Sequence, residues 1–181
     1  MFTLPCIGMF YHDGAALLKN AKYVAVIYVK INPEFNIYLD QDENVVALEC
    51  LNADAKDAYG KKSFAGKSLD ETLQTVVSIA AEKGYMKEDQ TVALTITECT
   101  TDLNATELQM KMDSVVTEAA KEQNITVTTA MDMSEEVRMA QKEAGLIKQA
   151  CSNCNGTGDC PDCPVCGGSF KCVVCGGSGT L

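Results

Sequence analysis

Residues 23–51 read YVAVIYVKINPEFNIYLDQDENVVALECL, and the way this stretch alternates decides the architecture. From Tyr23 to Ile31 the chain is β-branched and aromatic, which predicts a strand, and Asn32-Pro33 then interrupts it. Phe35, Ile37 and Leu39 alternate with Asn36, Tyr38 and Asp40, the period-2 pattern of a strand with one wet face. The polar QDEN turns the chain into a third strand, VVALECL, from Val45. Three short strands joined by tight turns predict a meander.

Downstream the periodicity changes. Ser68 followed by Glu71 is a capping box, and Leu69, Leu73, Val76, Val77 and Ala80 fall at helical spacing until Gly84 stops the helix. Val92, Leu94 and Ile96 alternate as a fourth strand. Asn104 with Glu107 opens a second helix whose apolar face is Leu108, Met112, Val115, Val116 and Ala119. ITVTTA from Ile125 is a fifth strand, and Ser134 caps a third helix through Val137, Ala140 and Ala144, ended by Gly145. The expected class is α+β, a single βββαβαβα layer domain followed by a small cysteine-rich zinc ribbon. Residues 1–20 form an N-terminal segment, 21–149 the α+β domain, and 150–181 the tail. The methionines at helical spacing read as core filler.

A chain of 181 residues, 46% hydrophobic, can bury one ordinary core and carry a small appendage. The formal charge is −10, and the segment from Cys151 adds only Asp159, Asp162 and Lys171, so the acidity belongs to the body. An acidic body argues against nucleic acid, since phosphate binding needs clustered Lys and Arg. No run approaches the roughly 20 apolar residues of a membrane span. Met1 to Tyr11 is apolar but lacks a basic start and runs into His12 and Asp13, so it does not read as a signal peptide. As written, the chain is expected to stay in the cytoplasm. No HExxH, Walker, GxSxG or dinucleotide-binding element occurs, so a conventional enzyme is not expected.

Seven of the ten cysteines crowd the C-terminus: Cys151, Cys154, Cys160, Cys163, Cys166, Cys172 and Cys175. A C-x2-C pair turns two thiolates toward one point, and two such pairs complete the tetrahedral sulfur shell of a structural zinc. The outer pairs, Cys151 and Cys154 with Cys172 and Cys175, are the expected Zn2+ site, and Cys160, Cys163 and Cys166 are candidates for a second. Disulfides are the alternative in an oxidising compartment. CSNCNGTG, CPVCGGSF and CVVCGGSG resemble the CxxCxGxG repeats of the DnaJ cysteine-rich domain, with Phe170 in place of the last glycine of the middle repeat. Only Lys171 lies close enough in sequence to activate a thiol, so redox catalysis is not expected. Cys6, Cys50 and Cys99 read as ordinary buried or half-buried thiols.

The body itself resembles a known family. YVAVIYVKINPEFNIYLDQDENVVALECLNADA, GKSLDETLQTVVSIAAEKGYMKEDQTVALTIT and RMAQKEAGL, together spanning about Ala21 to Leu146, are similar in content and order to the extracytoplasmic middle domain of RsgI-like anti-sigma factors. The resemblance implies a regulatory protein with a protein or peptide partner. A membrane enters only through a segment upstream of this chain, which would place the domain outside the cytoplasm. It also implies self-cleavage of the Asn32-Pro33 bond. Proline nitrogen carries no hydrogen, so attack by the following backbone nitrogen on the Asn side chain is closed, and the Asn32 amide is left to attack its own backbone carbonyl. The family commonly reads DINPS where this chain has Lys30-Ile31-Asn32-Pro33-Glu34. Read from the residues alone, Asn32-Pro33 serves equally as a plain strand breaker. A different class of function is an adaptor that binds extended peptide through the DnaJ-like tail.

Overall fold

The strand that runs into Asn32 occupies the middle of the sheet. In the computed structural model, which describes residues 22–147, β1 (Ala25–Lys30) lies between β2 (Glu34–Leu39) and β4 (Gln90–Cys99), and the strand order is β3-β2-β1-β4-β5. β3 (Val45–Cys50) and β5 (Val127–Met133) form the edges. β1 pairs antiparallel with both neighbours, Ile27 facing Ile37 on one side and Ile96 on the other. β4 and β5 are parallel. A parallel pair needs a crossover, and the 18-residue α3 (Ala105–Glu122) supplies it.

The sheet has one dry face. Ala25, Ile27, Val29, Phe35, Ile37, Leu39, Val92, Leu94 and Ile96 alternate onto it, and Leu69, Leu73, Val76, Val77 and Ala80 of α2 (Leu69–Glu82) and Leu108, Met112, Val116 and Ala119 of α3 share the same core. On the opposite face the residues between them are mixed: Tyr28, Asn36, Tyr38 and Thr95 are polar, whereas Val26 and Ala93 are apolar and Val26 is buried. There Tyr28 donates to Glu34 (2.9 Å), while Tyr38 and the Asn36 amide both donate to Glu49 (2.8 and 3.2 Å). The period-2 reading of Phe35, Ile37 and Leu39 therefore holds residue by residue in β2, and the helix starts hold as well. Ser68, Asn104 and Ser134 each accept from a backbone N–H of the first turn of α2, α3 and α4 (Glu135–Glu143), and Gly84 and Gly145 follow α2 and α4 at φ 74 and 72.

The order differs from βββαβαβα by one element. A short helix, α1 (Ala53–Tyr59), follows β3, capped by Asn52. Its ADAKDAY sequence spans two turns, too few for an apolar period to emerge, although Ala55, Ala58 and Tyr59 are all buried. Tyr59 lies edge-on to Phe35 at 5.1 Å and donates to Val76 O, so this small helix is pinned to both sheet and α2. β4 is also longer than its Val92–Ile96 core, and β5 begins two residues after Ile125. The zinc ribbon expected over 150–181 lies outside the described residues.

A buried polar side chain fastens the C-terminal helix. Gln141 of α4 is fully buried; its Oε1 accepts from Ala105 N (3.0 Å), and its amide nitrogen donates to Thr100 O (3.0 Å) and Leu103 O (2.8 Å). One side chain thus satisfies both ends of the β4–α3 connection and the first turn of α3. Gln141→Leu keeps much of the volume but orphans those three backbone groups, at roughly 1–3 kcal/mol for each that water cannot reach. The expected result is a lower urea midpoint with an unchanged slope.

Candidate functional site

The β1–β2 connection is three residues long. Lys30 and Glu34 are the last pair of the ladder, and Ile31, Asn32 and Pro33 make the loop, closed by a bond from Ile31 N to Pro33 O of 3.1 Å. So tight a reversal forces one residue into the left-handed region, and that residue is Asn32, at φ 60. Asn tolerates this conformation better than other non-glycine residues because its short polar side chain bonds locally. Ile31 and Pro33 are buried on either side while Asn32 is exposed. The Asn-Pro pair thus ends a strand, as the plain reading holds, and also presents its amide to solvent at the tip of a fixed loop.

Two amide side chains grip the loop. Gln90, the first residue of β4, donates through Nε2 to Ile31 O, and its Oε1 accepts from Lys87 N (2.9 Å). Asn52, which caps α1, accepts through Oδ1 from Ala55 N (2.8 Å) and Glu34 N (3.3 Å), and donates through Nδ2 to Asn32 Oδ1 (3.5 Å). Nothing adjacent in sequence links Asn52 to Asn32. The register does: Phe35 faces Cys50, so the chain two residues past Cys50 arrives opposite Pro33. Asn52 was legible as a polar residue before an alanine-rich stretch, a helix-start signal; its role beside Asn32 required the pairing of β2 with β3.

Asn32 also borders an open depression walled by Gly84, Tyr85, Lys87 and Glu88 from the α2–β4 connection. Glu88 is held below the usual carboxylate range by the backbone N–H of Thr126, so it stays ionised and engaged. Burial pushes the Tyr85 hydroxyl up, with Asp54 adding to the effect. Neither wall residue is therefore tuned to move protons near neutrality. Asn32 thus meets Asn52 through its side chain and borders this depression.

Lys30 and Glu34, at the positions flanking the loop, lie opposite each other with Nζ 3.7 Å from Oε1. Their charges suit each other as a cross-strand pair, which on an exposed face contributes little. Of the remaining thiols, Cys50 is half-buried and Cys99 buried, its pKa pushed up to about 11 by burial, next by Asp102. Both match the ordinary thiols expected. The seven cysteines of the tail and Cys6 lie outside the described residues. Among the described residues there is no group of His, Cys, Asp and Glu able to hold a metal, and no helix long and apolar enough to cross a membrane.

The residues that build this sheet and its helices are also those that match known proteins. The chain is 26% identical over 91 residues to the anti-sigma-I factor RsgI of Bacillus anthracis, which covers 50% of this chain and 20% of that protein. It is 34% identical over 67 residues to the anti-sigma-I factor RsgI3 of Acetivibrio thermocellus, covering 37% of this chain and 10% of the other. The chain thus spans a fifth or less of the length of these curated relatives. The anti-sigma factor RsgI-like central domain matches residues 24–151, from the strand before the Asn-Pro loop to the first cysteine of the tail, and the chain belongs to this family.

Proposed function

We propose that this chain is a regulatory domain whose signalling element is the Asn32-Pro33 bond, cut once by the Asn32 side chain, with the two pieces held together by the sheet until they are pulled apart. The observation that carries this reading is the placing of an exposed, left-handed Asn-Pro at the end of the central strand. In the cut, Asn32 Nδ2 attacks the Asn32 carbonyl carbon and forms a new C–N bond that closes a five-membered ring. The C–N bond to Pro33 then breaks, and the proton lost by the amide ends on the proline nitrogen. No water enters, so the first piece ends in a succinimide.

The fold supports the second half of the proposal. After a cut at residue 32, β1 stays hydrogen-bonded to β2 and β4, with Ala25, Ile27, Val29 and Ile31 in the core. Release then requires opening a sheet from its middle. Its relatives are named as anti-sigma-I factors; by extension, the partner at the end of this signal is a sigma factor.

The tail is the natural place for a structural Zn2+. Its donors, thiolates in C-x2-C pairs, have the chemistry and spacing zinc prefers, with Cys151, Cys154, Cys172 and Cys175 as the first set and Cys160, Cys163 and Cys166 available for a second. The tail would serve as a rigid platform for a protein or peptide partner.

Mass spectrometry tests both parts. Under native conditions one species is expected, which denaturation splits into 1–32 and 33–181, the first lighter by one water than a hydrolysed end. Asn32→Gly suits the left-handed loop and removes the nucleophile, so it should fold as the wild type does and stay whole. An aged wild-type chain that remains unbroken after denaturation sinks the self-cleavage reading and shifts attention to the tail. For the metal, native mass should carry zinc that a chelator strips, and Cys154→Ser should leave the tail open to protease while residues 22–147 unfold at their former midpoint. A tail equally resistant in that variant counts against zinc.

A further inference from the structure

We infer that Asn52 is a positioning residue for the cut, turning the Asn32 amide so that its nitrogen faces the bond to be broken. This inference rests on the self-cleavage reading above. It begins with a hydrogen-bond constraint. The Asn52 side chain meets two backbone N–H groups, those of Ala55 at 2.8 Å and Glu34 at 3.3 Å, and only an oxygen can accept from both. The orientation of the Asn52 amide is thereby set by the cap and the hairpin together. Its nitrogen must point the other way, toward Asn32.

The consequence passes to the neighbour. A nitrogen carrying hydrogens needs an acceptor, so the atom Asn32 presents to Asn52 at 3.5 Å is its oxygen. The Asn32 nitrogen, the nucleophile, is thereby left on the side of the amide away from Asn52, free to approach its own carbonyl. Without the donor, the amide is free to turn over, and half of its orientations direct the nucleophile away.

A second effect follows from the same bond. Loss of an Nδ2 proton, which readies the nitrogen for attack, leaves an amidate whose negative charge is shared with Asn32 Oδ1, and a donor at that oxygen eases the loss. At 3.5 Å the contact is long in the resting state, which is common for bonds that tighten as charge develops. Gln90 complements it by holding Ile31 O, so the residue before the bond is anchored as well. The loop is thus clamped from α1 on one flank and β4 on the other.

Capping and positioning separate cleanly by substitution. Asn52→Asp retains an acceptor for Ala55 and Glu34 but replaces the donor with an oxygen that repels Asn32 Oδ1; Asn52→Ser retains the cap and is too short to reach Asn32. The first-order appearance of the 33–181 piece after translation or refolding is the rate to follow, with the unfolding midpoint measured alongside. Both variants should keep the wild-type midpoint and cleave at least tenfold more slowly near neutral pH. For Asn52→Asp the ratio to the wild-type rate should recover as pH falls through the carboxyl range, where a protonated acid can donate again. A variant rate equal to that of the wild type overturns the inference while leaving self-cleavage intact, and so does an Asn52→Asp deficit that ignores pH, or a deficit in either variant that follows a lowered midpoint. A wild-type chain that never cleaves overturns both readings together.

Discussion

The structure depends on β1 being paired along both edges. Each of its backbone groups can be satisfied by β2 or β4, and its alternate side chains fill the centre of the core. A strand so placed cannot leave by fraying, because both ladders and the helix-covered face must open together. The same strand runs into the loop that holds Asn32. A chemical break at that point would leave the pieces bound by every interaction except one covalent bond.

Burial and exposure alternate sharply along the loop. Ile31 and Pro33 are buried and anchor the hairpin, while Asn32 between them takes the left-handed conformation that a three-residue reversal imposes. The loop is steadied from two sides, by Gln90 at the start of β4 and by Asn52 at the start of α1. Rigid support matters for a reaction within one residue, since the gain from proximity is lost when the attacking group can rotate away. The depression beside the loop leaves Asn32 open to solvent.

The two halves of the domain are built by different logic. Antiparallel pairing of β1, β2 and β3 is local and needs only short turns, such as the one in which Asp40 Oδ1 accepts from Asp42 N and Asn44 N at 2.9 and 2.8 Å. The β4–α3–β5 unit is a crossover, tied back through Lys111 of α3, which reaches Glu43 in the β2–β3 turn (2.6 Å) and Asp70 of α2 (3.1 Å). Gln141 closes the far end. These polar ties are few, and they fall where elements meet rather than within them.

What the amino-acid order settled by itself was local. Alternation in FNIYL, the caps at Ser68, Asn104 and Ser134, and the stops at Gly84 and Gly145 each follow from interactions within a few residues, and all are found where they were expected. The Asn-Pro pair was visible for the same reason, as was the resemblance to a family to which the chain belongs. Helix α1 escaped because two turns of mostly alanine and charge show no period. The strand order, the parallel pairing of β5, and the meeting of Asn52 and Gln90 around residues 31–34 were decided only by tertiary structure. They depend on which edges find each other and in what register, and pairing between residues 20 or more apart leaves no periodic mark in either segment.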